Sequence, residues 1–228
     1  MNRGPETGRH ALFGPEHPVY AIYPGPLAGP RDIEGTIRAL CSGGAGMIQY
    51  REQQLRDGEA LAVLRRIVEA AVPWHVPILV NDRADLARLG GAHGVHLGQD
   101  DLPVEAAQAL LAPGSVVGVS VDTASEADEA VAAGADYVSL GPAYPTTTKD
   151  DVPGPRPLEV YRGLAGTLEV PLVAIGGIDE DNLAPLVGAG VAAVALISAL
   201  YRGDDVEGRT RTLVEAFHRA RNQEKHGP

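Results

Sequence analysis

The chain has 228 residues, 44% hydrophobic and 21% charged, enough core material for one large domain. Thirty acidic residues against 19 basic ones give a net charge of −11, which excludes a general nucleic-acid or acidic-membrane binder. The single cysteine, Cys41, excludes an intramolecular disulfide and fits a reducing cytoplasm, while aromatics at 4% leave most packing to Ala, Val, Leu and Gly.

Residues 1–17 are rich in Gly, Pro and charge and lack the apolar stretch of a signal peptide, so they are expected to be a disordered tail. A single domain is expected over 18–222, with a short tail over 223–228. Within it, eight short apolar runs read as strands: Val19–Tyr23, Gly46–Tyr50, Pro77–Val80, Gly94–Leu97, Val116–Val119, Tyr137–Leu140, Leu172–Ile175 and Ala193–Ile197. They are mostly β-branched or apolar, as strands covered on both faces are. Amphipathic helical patterns lie between them, over Asp57–Val72, Val104–Leu111, Ser125–Ala133, Asp179–Val187 and Val206–Arg221. A helical pattern also precedes Cys41, a packed small hydrophobe in this reading, and Arg83-Ala-Asp-Leu-Ala follows the third strand. Ser125 and Asp179 stand where helix N-caps would be, and Gly90–Gly91, Gly134 and Gly188–Gly190 where C-caps would be. Eight strands alternating with helices, with no break in composition, predict an α/β fold, a (β/α)8 TIM barrel. A doubly wound sheet fits less well, because no Gly-x-Gly-x-x-Gly follows the first strand.

In such a barrel the chemistry sits at the C-terminal ends of the strands. Gln49-Tyr50-Arg51 ends the second strand, and alternation puts Gln49 and Arg51 on one side and Tyr50 on the other. An inward Arg there needs an anion, either a protein carboxylate or a ligand. Asn81-Asp82 ends the third strand and Asp100-Asp101 follows the fourth. Either could serve as a helix cap or turn, but adjacent strands bring both carboxylates to one crevice, a set that suits Mg²⁺. His96, inside the fourth strand, reads as a satisfied barrel residue. Ser120 ends the fifth strand. After the sixth comes Gly141-Pro-Ala-Tyr-Pro-Thr146-Thr147-Thr148-Lys149, which holds one of only two lysines in a chain whose other 17 basic residues are arginine. Hydroxyls, backbone N–H groups and a compact ammonium together suit a phosphate or pyrophosphate. Gly176-Gly177 and Ile197-Ser198, after the seventh and eighth strands, occupy the places where barrels often bind phosphate. No Ser-His-Asp or Cys-His arrangement is recognisable, so covalent catalysis is not indicated.

Taken in order, Gln49-Tyr-Arg51, Val80-Asn-Asp82, Gly94-Val-His-Leu-Gly-Gln-Asp-Asp101, Gly118-Val-Ser120, Gly134-Ala-Asp-Tyr-Val, the Thr-Lys loop, Ala174-Ile-Gly-Gly-Ile178 and Ile197-Ser198 resemble the thiamine-phosphate synthase family. The resemblance implies condensation of a hydroxymethylpyrimidine pyrophosphate with a thiazole phosphate, giving thiamine phosphate and pyrophosphate. By the same resemblance, Asp82 and Asp101 would hold Mg²⁺. Gln49, Arg51, Asn81, Ser120 and Lys149 would hold the pyrimidine pyrophosphate, with Arg51, Ser120 and Lys149 closest to the chemistry. Thr146, Thr148, Gly177, Ile197 and Ser198 would hold the thiazole phosphate, and Tyr50, Gln53 and Thr147 are counted with the binding set. The partners would be these small phosphorylated molecules, with no nucleic acid or membrane, in a protein that could form a homo-oligomer. The chain departs from the family pattern Gln-x-Arg-x-Lys in carrying Gln53 at the Lys position. Two alternatives share the barrel: a thiazole tautomerase, and a non-catalytic protein that binds the thiazole phosphate or thiamine phosphate.

Overall fold

The computed structural model describes residues 12–13, 16–25, 32–146 and 154–225. The apolar runs form eight parallel strands: β1 Val19–Tyr23, β2 Ala45–Tyr50, β3 Ile78–Asn81, β4 Gly94–Leu97, β5 Val116–Val121, β6 Tyr137–Leu140, β7 Leu172–Ile175 and β8 Ala193–Leu196. They pair in chain order, and β8 returns to β1 through Val19–Val194, Tyr20–Ala195 and Ala21–Leu196, closing the (β/α)8 barrel. Closure leaves no strand edge exposed, which explains why strands of four to six residues suffice.

The helices are α1 Ile33–Ser42, α2 Asp57–Ala71, α3 Ala84–Gly90, α4 Val104–Leu110, α5 Ala124–Ala132, α6 Leu158–Thr167, α7 Ala184–Gly188 and α8 Val206–Lys225. Asp32 caps α1 by accepting from Gly35 N–H at 2.7 Å, and Gly91 ends α3 in the left-handed conformation. No helix among the described residues is long and apolar enough to cross a membrane. The hydrophobic core has two layers. The outer one packs the helices on the barrel through residues such as Ile37, Leu64, Ile67, Leu164 and Phe217. The inner one fills the barrel itself and is built on Tyr20, Met47, Leu79, Tyr137 and Val173. Aromatics are scarce overall, yet two of them fill the barrel centre, where Ala and Val would leave voids.

Several expectations need correction. α7 begins at Ala184, not Asp179. Asp179 and Asn182 close a turn instead, with Asp179 N–H donating to Asn182 Oδ1 at 2.9 Å and Asn182 Nδ2 to the Gly177 carbonyl at 2.9 Å. Thr123 caps α5 in place of Ser125, accepting from Glu126 N–H at 3.2 Å. α6 was not anticipated, because Gly163 and Gly166 interrupt its pattern. α8 continues to Lys225, past the edge expected at 222. Phe13, inside the stretch expected to be a loose tail, is buried against Tyr20 and Tyr137 at ring-centroid distances of 5.9 and 5.4 Å. Its neighbours Ala11 and Leu12 make this the one apolar spot in that segment. Cys41 is buried as expected, and burial pushes its thiol up to about 12.

Candidate active site

The two-residue period of each strand decides what enters the barrel. On β1 it turns Tyr20 and Ile22 inward, on β2 Met47 and Gln49, and on β6 Tyr137 and Ser139. The upper positions are polar on β2 and β6, where Gln49 and Ser139 stand, and apolar on β1, where Ile22 stands. Above them opens a cavity of about 570 Å³, at the C-terminal ends of the strands. Gln49, Arg51, Gln53, Asn81, Asp82, Asp100, Asp101, Ser120, Thr146, Gly177, Ile197 and Ser198 all line it, so strand ends far apart in the chain meet at one mouth. Thr147, Thr148 and Lys149 lie outside the described residues. Tyr50 does not line the cavity. It faces the outer layer, stacked on Tyr23 at 6.4 Å, and is therefore removed from the binding set, since alternation turns it away from its neighbours.

Arg51 is the informative cation. Its backbone N–H pairs with the Tyr23 carbonyl at 2.9 Å, but among the described residues its guanidinium meets no carboxylate. Asp82 reaches the mouth through unusual backbone: its φ is +63°, a left-handed conformation that disfavours a side chain, and its N–H donates to the His96 carbonyl at 2.8 Å. This bend re-aims the chain at the end of β3 toward the cavity. Asp101 places one carboxylate oxygen 2.6 Å from Gly98 N–H, closing the β4–α4 turn. No group of three or more His, Cys, Asp or Glu among the described residues could hold a metal ion by itself. Two carboxylates facing a phosphate cavity do fit Mg²⁺, which keeps waters and takes phosphate oxygens as its other ligands.

On the opposite wall, Gly176 and Gly177 adopt φ of +97° and +66°, and a Cβ on Gly177 would collide with the Pro145 carbonyl and Tyr144. Glycine here brings backbone close to the cavity, and Ile197-Ser198 lies beside it at the end of β8. The dipole of α7 plays no part, since that helix starts seven residues beyond Gly177.

Below the mouth runs a hydrogen-bond chain that sequence reasoning did not find. Gln49 Nε2 donates to Tyr20 Oη at 2.7 Å, and Tyr20 Oη and Tyr137 Oη are 2.8 Å apart. Tyr137 Oη is 2.8 Å from His96 Nδ1, and His96 Nε2 is 2.9 Å from Ser120 Oγ. His96 is thus held at both ring nitrogens, in agreement with its reading as a satisfied residue, and it also lines the cavity. Burial pushes the phenols of Tyr20 and Tyr137 far above the usual tyrosine range, so both remain protonated. Arg156 and Asp122 were also missed. Arg156 Nη2 pairs with Asp122 at 2.5 Å, and its N–H donates to the Pro142 carbonyl at 2.8 Å, pinning the chain that enters α6 to the rim. The only signal for either was position beside a strand end or loop.

A closed barrel with a cation, carboxylates and glycine-presented backbone at its C-terminal mouth defines an enzyme of small phosphorylated molecules. A family model described as thiamine monophosphate synthase matches residues 19–200, and the chain belongs to that family. It is similar to a thiamine-phosphate synthase of Clostridium novyi, 36% identical over 195 residues, covering 86% of this chain and 96% of the relative. Another of that name, from Moorella thermoacetica, is 37% identical over 92% of this chain and 100% of its own length. Among solved structures, a thiamine phosphate pyrophosphorylase of Pyrococcus furiosus superposes with a TM-score of 0.80 at 32% identity, covering 92% of this chain and 98% of that one.

Proposed function

We propose that this protein joins a 4-amino-5-hydroxymethylpyrimidine pyrophosphate to a thiazole phosphate, forming thiamine phosphate and releasing pyrophosphate. The observation that carries the reading is Arg51: a cation that meets no carboxylate among the described residues, lining with Asp82 and Asp101 a cavity closed opposite by Gly177 and Ser198. The C–O bond between the pyrimidine methylene and the pyrophosphate breaks, with the electron pair leaving on oxygen. The aminopyrimidine ring stabilises the cation that remains, and the thiazole nitrogen captures it through a new C–N bond.

This chemistry needs no nucleophile or strong base from the protein. It needs charge neutralisation, orientation and exclusion of water. Arg51 and Lys149 neutralise the pyrophosphate, Asn81 and Ser120 orient it, and Gln49 holds the pyrimidine. Thr146, Gly177 and Ser198 hold the thiazole phosphate, while Ile22, Ile175, Ile178 and Ile197 supply an apolar lining. Mg²⁺ held by Asp82 and Asp101 would neutralise charge on the departing pyrophosphate. That charge must be met locally, because the chain as a whole is at −11.

The test is to mix both substrates with Mg²⁺ and assay thiamine phosphate. Product that requires both substrates supports the reading. Thiazole isomerisation without condensation would assign the protein to the tautomerases, and ligand binding without turnover to the binding proteins.

A further inference from the structure

We propose that Tyr137 is a positioning residue that, with Tyr20 and His96, sets which way the Gln49 amide and the Ser120 hydroxyl face the pyrimidine, and so selects an amino over an oxo substituent. The proposal rests on the function given above and extends it to substrate choice.

The argument follows the protons along the buried chain. Each tyrosine has one hydroxyl proton, so it can donate to one neighbour only. Gln49 Nε2 donates to Tyr20, and Tyr20 must then donate onward to Tyr137. In the order that gives every group a partner, Tyr137 donates to His96 Nδ1, and the His96 proton sits on Nε2 and is donated to Ser120 Oγ. Ser120 keeps its own proton for Ser139 Oγ, 3.3 Å away, or for the cavity. Reversing one link would leave one group accepting twice and another proton without a partner, so the fully satisfied chain runs one way, and complete reversal would flip the amide at one end and the hydroxyl at the other.

In this sense Gln49 Oε1 takes no hydrogen bond among the described residues and belongs to a side chain lining the cavity. The mouth therefore offers an acceptor on β2 and a hydroxyl donor on β5. An exocyclic amino group next to a ring nitrogen presents the matching donor and acceptor. A 4-oxo ring, with its carbonyl and ring N–H, presents the reverse.

Independent packing observations show that the barrel is built around this tyrosine. Gly118 on β5 stands in register with Tyr137 on β6, and a Cβ on Gly118 would fall onto the Tyr137 ring and hydroxyl. Phe13 meets the ring edge-on at 5.4 Å and 87°, and Tyr20 at 5.8 Å and 84°. If Tyr137 served only to fill space, phenylalanine would replace it without consequence.

The experiment compares wild type, Tyr137→Phe, Tyr20→Phe and Gly118→Ala with 4-amino and 4-oxo pyrimidine pyrophosphates, together with ¹⁵N imidazole spectra of His96. The expected result is a single Nε2–H tautomer in wild type and in Tyr20→Phe, and a mixture in Tyr137→Phe. The amino-over-oxo ratio of kcat/KM should fall about tenfold in both tyrosine variants, and in Gly118→Ala as well, while the KM for the thiazole phosphate stays within twofold. A ratio unchanged in Tyr20→Phe and Tyr137→Phe overturns the proposal, as does an Nδ1–H tautomer in the wild type. Should Tyr137→Phe fail to fold, Tyr20→Phe carries the same ratio test. Should the wild type make no thiamine phosphate, the proposed function fails, while the His96 spectrum of the ligand-free protein still tests the proton order.

Discussion

The arginines of the helical ring and the arginine at the barrel mouth are used in opposite ways. On the ring several charges are matched by protein: Arg66 by Glu34, Arg83 by Asp57 and Asp85, Arg202 by Asp179, Arg209 by Glu180. At the mouth, Arg51 faces a cavity with no carboxylate on its guanidinium among the described residues, and Asp82 is carried there on left-handed backbone. Ring pairs hold turns and helices together, and their removal should affect stability. Arg51 has no carboxylate among the described residues to hold, and its removal should affect the ligand.

The sharpest way to break this comparison is Arg51→Gln. It should lower kcat/KM for the pyrimidine pyrophosphate by about 10²–10³-fold and leave the melting temperature nearly unchanged, since no buried partner is orphaned. Steady-state kinetics and thermal melting check both halves. Asp101→Asn comes next. Its amide oxygen can still accept from Gly98 N–H, so the turn survives, but the Mg²⁺ concentration for half-maximal rate should rise about ten- to hundredfold. Gln53→Lys should act in the other direction. Gln53 is exposed at the cavity rim, so the added ammonium should lower the KM of the pyrimidine donor about three- to tenfold and leave that of the thiazole unchanged. An unchanged donor KM would show that position 53 does not face the pyrophosphate.

The ring supplies the smallest effect. Arg209 holds the Glu180 carboxyl at about 2, below its ordinary 4.5. A depressed carboxyl pKa stabilises the fold fully above pH 4.5, and that stability is lost as the pH falls toward 2. With both side chains 23% exposed, solvent screening reduces the contribution to about 1 kcal/mol. Melting curves from pH 6 to 2.5 should show wild type and Glu180→Gln converging as the pH drops, with catalysis at pH 7 the same in both.

Much of this was legible before the structure. β1, β4, β6 and β7 occupy the predicted residues, because strands buried on both faces leave a mostly apolar run. The mouth residues were legible by position: a polar side chain directly after such a run has few other places to go in a barrel. What could not be read was which neighbours close on each other. Asp179 looks like a helix cap in sequence, yet Asn182 draws it into a turn. Tyr137 sits in an apolar run and reads as packing, because nothing local reveals that β1, β4 and β5 deliver Tyr20, His96 and Gly118 to it. Arg51 announces that an anion is needed, but only the fold shows that none of the described residues supplies one.

The central claim is that the mouth charges are reserved for a pyrophosphate and its metal ion. Calorimetric titration of the pyrimidine pyrophosphate into wild type and Arg51→Gln, each with Mg²⁺ and with the metal chelated, tests it most directly. The account predicts binding to wild type in Mg²⁺, loss on chelation, and loss in Arg51→Gln at an unchanged melting temperature. Binding that ignores both the chelator and the substitution would contradict it.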